Sequence, residues 1–290
     1  WSMKNDGKSR RKNNNNRQKH SPILTLGLLV LMAAGGYVIK YFNDHINATE
    51  SQWHTEYITG TDLTHPATNP TLAEQLIEYK AMTVSFNKDM HIPNWVSWEL
   101  LRSEVDGNEE RGDKFLHDDN VIGCPYPEDY RGSGYDRGHM APAADMRWCP
   151  EAMRQSFYMT NICPQLHSLN GGTWKKLEEK CRIWAMADSA IIIIAGPILT
   201  DLPDEYIGNT GVAVPKRYFK IIAAPFANPP RGIGFIMPNG RVAGGMQAAA
   251  VSIDSVERVT GHDFFQNLPD SIQHIIESKC RFNFWSNIKP

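Results

Sequence analysis

The run Ala190-Ile191-Ile192-Ile193-Ile194-Ala195, closed by Gly196-Pro197, limits most what this chain can fold into. An unbroken β-branched run bounded by turn residues reads as a fully buried strand. Phe219–Ala224 and Gly232–Met237 supply two more strands. Met82–Phe86 and Trp95–Leu100 alternate apolar and polar residues, with turn residues at His91-Ile92-Pro93-Asn94 between them, so they read as an antiparallel pair. Helical spacing is found in Glu151–Phe157, Val251–Thr260 (stopped by Gly261) and Ser271–Lys279. Another helix starts near Asn170 or Thr173 and buries Leu177, Cys181, Trp184 and Ala185. Strands outnumber helices and short turns join them. The expected class is α+β, with a mostly antiparallel central sheet flanked by helices.

The N-terminus is of another kind. Residues 1–20 hold Lys4, Lys8, Arg10, Arg11, Lys12, Arg17 and Lys19 against Asp6 alone, a net of about +6, which leaves about −8 for the rest. A mildly acidic body has no general electrostatic footprint for nucleic acid, so any phosphate recognition must be local. Residues 22–39 form the one long uncharged apolar run, closed by Lys40 and just enough to span a bilayer, so 22–40 reads as a transmembrane signal anchor. The basic residues 1–21 would then stay cytoplasmic and the body would lie outside, in the bacterial periplasm or at the cell exterior. A cleaved signal with secretion is the rival, because Ala33-Ala34-Gly35 suits a signal peptidase. A mitochondrial anchor is a further alternative, though Asp6 and the asparagines at 13–16 are unlike a transit peptide. Residues 41–75 read as a polar linker or stalk, and 76–290 as the folded domain. The five cysteines form no Cys-x-x-Cys pair, which argues against zinc; one or two disulfides and buried free thiols both stay open.

Chemistry concentrates in Gly134-Tyr135-Asp136-Arg137-Gly138-His139-Met140-Ala141-Pro142. In an extended segment Arg137 and His139 share a face, and Gly138 admits a close neighbour. An arginine beside a neutral histidine suits a phosphate ester: one holds the oxygens, the other takes a proton from water. Taken alone, the pair reads better as a strand-end turn with a hydrogen-bonded histidine and a surface arginine. Asn170, Trp174, Glu178 and Arg182 are four apart and form a stripe that could serve metal and phosphate. The plainer reading is a helix cap at Asn170 and a Glu178–Arg182 ion pair. In the charged loop 103–120, Arg111 is a candidate phosphate ligand.

These residues resemble the DNA/RNA non-specific endonucleases of the ββα-metal class, the secreted bacterial nuclease and endonuclease G type. The resemblance runs from about Leu76 to Lys279 and rests on Asp136-Arg137-Gly138-His139, Asn161, Pro164-Gln165, Leu169-Asn170, Trp174 and Leu177-Glu178, in order and in register. It implies His139 as general base, Asn170 as direct ligand of one Mg²⁺ (with Mn²⁺ as a substitute), and Glu178 as holder of metal-bound water. It further implies Arg137 and Arg182 on phosphate, joined by an upstream arginine for which Arg111 is the candidate. Asn161 would support the site and Asp136 would be structural. DNA and RNA would both be substrates with little sequence preference, and a homodimer is common in the family. Cys163 departs from the family pattern and would either lend redox sensitivity or simply pack. An ordinary histidine base would lose activity below roughly pH 6.5. Two alternatives remain: a non-catalytic envelope binding or assembly subunit that keeps the fold, and a phosphodiesterase acting on small nucleotides.

Overall fold

The computed structural model describes residues 63–289. The strands are β1 (Gln75–Glu78), β2 (Thr83–Asn87), β3 (Ile92–Leu101), β4 (Asp136–His139), β5 (Ile162–Gln165), β6 (Ala190–Pro197), β7 (Tyr206–Ile207), β8 (Val212–Ala213), β9 (Arg217–Ala224), β10 (Arg231–Pro238) and β11 (Ala250–Val251). The α-helices are α1 (Arg102–Val105), α2 (Pro150–Ser156), α3 (Lys175–Asp188), α4 (Gly245–Ala249), α5 (Ile253–Thr260), α6 (Asp270–Glu277) and α7 (Phe282–Ser286).

Seven strands make one sheet in the order β1-β2-β3-β6-β9-β10-β11, and every adjacent pair is antiparallel. The isoleucine run is β6, at the centre of the sheet. Its side chains alternate between two cores. Ile191 and Ile193 join Trp98, Tyr218 and Ile222 on one face; Ile192 and Ile194 join Trp95, Phe219 and Ile221 on the other. Each of these isoleucines is at most 2 % exposed, and burying one is worth about 1.5–3 kcal/mol. Helix α3 seals the first face with Leu177, Cys181, Trp184 and Ala185, the four positions expected from its spacing. Helices α5 and α6 seal the second with Ile253, Val256 and Ile276. They press closely on β10 because Gly232 and Gly234 lack side chains: a Cβ at Gly232 would lie 2.5 Å from the Ile276 carbonyl oxygen, and one at Gly234 would lie 2.7 Å from Val256 Cγ2. Ser252 caps α5 through its hydroxyl, and Gly261 ends it in the left-handed region at φ 73°.

The α+β class and the antiparallel sheet are as expected, with local differences. Residues 63–75, expected to belong to the stalk, already pack into the body. Leu63 is buried, Ala67 bridges Asp263, and the Asn69 N–H donates to His262 Nδ1 at 2.9 Å. Ile92-Pro93-Asn94 lies within β3 rather than in a turn. Pro93, with no N–H to donate, sits where the β2–β3 register shifts opposite Ser85 and Phe86. The reversal instead uses His91 at φ 58°. All five cysteines are free thiols. The expected membrane segment 22–40 lies outside the described residues; among those described, no helix is long and apolar enough to cross a membrane.

Candidate active site

β4 and β5 form a two-stranded ribbon on the α3 side of the sheet, with Gly138 opposite Cys163 and His139 opposite Ile162. The glycine between Arg137 and His139 is a steric requirement. A Cβ there would meet Gln165 Oε1 at 2.2 Å, and Gln165 is fully buried. Beyond His139, Asn161 holds the chain with three side-chain hydrogen bonds. Its Oδ1 accepts from the Ala141 N–H (2.9 Å), and its Nδ2 donates to the carbonyls of Ala141 and Ser156 (2.8 Å each). Asn161 is fully buried beneath the cleft and does not line it. It is a positioning residue for the segment that carries His139.

The His139 ring is set between Phe157 (centroids 4.9 Å, edge-on) and Phe115 (5.3 Å). Its backbone carbonyl accepts from Trp174 Nε1 at 3.3 Å. Its Nε2 is buried and has no hydrogen-bond partner among the described residues. Burial, aided by the Arg111 charge, pushes the imidazole pKa down to about 3. The ring is therefore neutral far below pH 6.5, and the acid limb expected near 6.5 from an ordinary histidine does not follow for the free protein.

Asn170 lies in a wide π-type turn, Leu169–Trp174, which leads into α3 and leaves helical geometry at Gly172 (φ −102°, ψ −117°). It caps no helix. Its Nδ2 donates to Asp136 Oδ2 at 2.9 Å, and His167 Nδ1 lies 2.8 Å from the same oxygen. A carboxylate only accepts, so the amide nitrogen must face Asp136. The Oδ1 is then left without a hydrogen-bond partner among the described residues. Asp136 thus orients Asn170.

Glu178 projects from the first turn of α3. Burial pushes its carboxyl up to about 7, against the opposing pull of Lys220, Arg182 and Arg111. The Lys220 Nζ lies 3.9 Å from it. That lysine comes from the middle of β9, is fully buried, donates to the Met140 carbonyl at 3.4 Å, and stands 4.2 Å over the Trp174 ring. Arg182 does not pair with Glu178; its Nη1 donates to Asp145 Oδ1 at 2.9 Å, while Trp98 Nε1 takes the other oxygen at 3.1 Å. Arg137 donates through Nε and Nη2 to the Pro127 carbonyl (3.1 and 2.6 Å) and covers Phe115. Arg111 covers Phe157 from the loop.

Arg111, Arg137, His139, Asn170, Glu178 and Arg182 all line one open cleft of ≈ 350 Å³, together with Phe115 and Lys175. The cations outnumber the single lining carboxylate, so this is a local anion site on an acidic body. The free amide oxygen of Asn170 and the half-buried carboxylate of Glu178 are hard oxygen donors. They fit a divalent cation that keeps most of its waters, as Mg²⁺ does. Cys163 is fully buried, and burial raises its thiol pKa well above the usual range, so it packs as an inert apolar group. Lys220 and Asp145 were not anticipated. A lone lysine inside Phe219–Ala224 was the available signal for the first; the second is found only through its three-dimensional partners.

The family model for DNA/RNA non-specific endonucleases matches residues 59–271. A nuclease of Nostoc sp. is 37% identical over 210 residues, 68% of this chain and 75% of that protein. The mitochondrial nuclease of Saccharomyces cerevisiae is 34% identical, over 64% of either chain. Mitochondrial endonuclease G of Bos taurus is 31% identical, over 60% of this chain and 63% of its own. The chain thus spans under two thirds of the yeast and bovine proteins. Among solved structures, one from the EndoG/EndoGI complex superposes with a TM-score of 0.63 at 26% identity, covering 72% of this chain and 92% of that one. The chain belongs to the DNA/RNA non-specific endonuclease family. It is a nuclease, and the cleft just described gathers Arg111, Arg137, His139, Asn170, Glu178 and Arg182.

Proposed function

We propose that the protein is a Mg²⁺-dependent, sugar-non-specific endonuclease that hydrolyses phosphodiester bonds of DNA and RNA at the His139 cleft. The observation that carries this reading is the buried, neutral, unpartnered Nε2 of His139 in a cleft lined by three arginines. A neutral imidazole with a free nitrogen is ready to take a proton from water. Phe115 and Phe157 fix the ring, and Asn161 fixes the backbone behind it. Arg137, Arg182 and Arg111 would hold the phosphate oxygens. Asn170 would ligate the cation through Oδ1, and Glu178 would hold its waters. When bound, the divalent cation supplies Lewis-acid stabilisation of the leaving 3′-oxygen. Side chains that hold phosphate read no base edges, which supports weak sequence preference.

The basic and apolar N-terminus would tether the enzyme to a membrane, with the catalytic domain outside the cytoplasm. The mitochondrial nucleases among its relatives favour the mitochondrial alternative for that tether. Fractionation of the source cells separates the two. The function itself is tested by incubating supercoiled plasmid and single-stranded RNA with the full chain, in Mg²⁺ and in EDTA, beside Asn170→Ala. Cleavage of both substrates is expected in Mg²⁺ alone, with Asn170→Ala needing far more metal. A folded protein that cuts neither substrate in Mg²⁺ or Mn²⁺ would sink the reading and leave the non-catalytic subunit.

A further inference from the structure

On the sheet face opposite the cleft, α5 and α6 bring Asp254, Glu257 and Glu277 together, with one carboxylate oxygen from each lying within 4.8 Å of the others. We propose that these three carboxylates form a second, structural cation site suited to Ca²⁺. Glu277 is the decisive member. It is only 7 % exposed, it belongs to the cluster, and its Oε1 is buried without a hydrogen-bond partner among the described residues. An orphaned buried carboxylate oxygen is costly unless something satisfies it. No lysine, arginine or histidine among the described residues forms an ion pair with any of the three.

The geometry suits a hard cation. Ca²⁺ binds oxygen at about 2.3–2.6 Å, so two of its ligands can stand up to about 5 Å apart, and it accepts water and irregular geometry in the remaining positions. The donors are all oxygen, which excludes the nitrogen and sulfur preference of structural zinc. Glu257 is already fixed, since its Oε1 accepts from the Phe264 N–H at 2.9 Å. Asp254 and Glu257 are only partly buried, which leaves an entry path. Burial and the neighbouring charges of Glu257, Asp254 and Asp263 push Glu277 up to about 8, the direction expected of carboxylates crowded together with no cation between them. A cation would satisfy the orphaned oxygen and cross-link α5 to α6, the two helices that seal this face of the sheet.

The test reads binding and stability, not cleavage, so it is independent of the nuclease reading. The full chain carrying Asn170→Ala is titrated with Ca²⁺ by calorimetry and followed by thermal unfolding. We expect one calcium site and a Tm rise of about 5–10 °C at Ca²⁺ a hundredfold above Kd. Adding Glu277→Gln should abolish both, and Asp254→Asn serves if that variant does not fold. With Asn170 intact, Glu277→Gln should keep Mg²⁺-dependent nicking within about twofold of wild type, since a single exchange this far from the reacting groups removes no transition-state contact. Calcium binding that persists in both double variants, or no Ca²⁺ effect in Asn170→Ala, would overturn the proposal.

Discussion

The two faces of the central sheet each draw a glutamate out of bulk water, Glu178 partly and Glu277 almost wholly, in opposite company. On the cleft face Glu178 has Lys220 at 3.9 Å and the charges of Arg182 and Arg111 nearby, and its pKa stands at about 7. On the far face Glu277 has only Asp254, Glu257 and Asp263 for electrostatic neighbours, and its pKa stands at about 8. Burial raises both. What distinguishes the faces is what their surroundings call for: the cleft is a cationic basin that suits phosphate, while the far cluster is an anionic one that suits a metal. A buried carboxylate is therefore a guide to function only once its neighbours are known.

The cleft face should be the one that fails catalytically. His139→Ala is expected to lower the cleavage rate by roughly 10²–10⁴-fold with DNA binding retained, as read by single-turnover nicking and by fluorescence anisotropy. Asn161→Leu strips partners from both backbone groups of Ala141 and from the Ser156 carbonyl. Each buried group left unpaired costs about 1–3 kcal/mol, so urea unfolding should show a loss of at least one such increment. A subtler break is Asp136→Ala, which removes the acceptor that orients Asn170. Metal affinity should fall about 10–100-fold, with the rate recovered at high Mg²⁺. Gly138→Ala forces the buried Gln165 to move and should cost about 1–3 kcal/mol of stability.

The smallest effect compares the faces directly, because each also buries a neutral histidine. His139 is held down to about 3 on one face, and His262 down to about 4 beside Phe219 and Phe264 on the other. The unfolded chain protonates both near 6.5 and the native state does not. Their contribution to stability is therefore complete above pH 6.5 and is lost as pH falls toward about 4. Urea midpoints measured across that window should decline with acid, and less steeply in His262→Gln.

Much of this was legible in the chain, and what was not has a physical reason. The isoleucine run marked the central strand because a short β-branched stretch closed by Gly196-Pro197 favours a strand buried on both faces over a buried helix. That His139, Asn170, Glu178 and Arg182 gather in one cleft could be read from the family pattern, whereas local spacing alone favoured the plainer turn, cap and ion-pair readings. The wide turn at Leu169–Trp174 did not spoil that reading, since Asn170 still reaches the cleft. Arg111 had no such support; its loop position means something only once Phe157 places it. The partners of these residues were out of reach. Lys220 is a lone charge in a strand, Asp145 takes Arg182 away from the expected Glu178, and Asn69 meets His262 across most of the chain. The low pKa of His139 likewise comes from burial between two aromatic rings and from the Arg111 charge, which no local motif encodes.

The measurement that bears most directly on the nuclease chemistry is rescue of His139→Gly by free imidazole. The substitution leaves a ring-sized gap between Phe115 and Phe157. Plasmid nicking in Mg²⁺ should be nearly absent, and added imidazole should restore part of it, with a rate that rises with the neutral imidazole concentration. An unimpaired His139→Gly enzyme, folded and still Mg²⁺-dependent, would contradict His139 as the base.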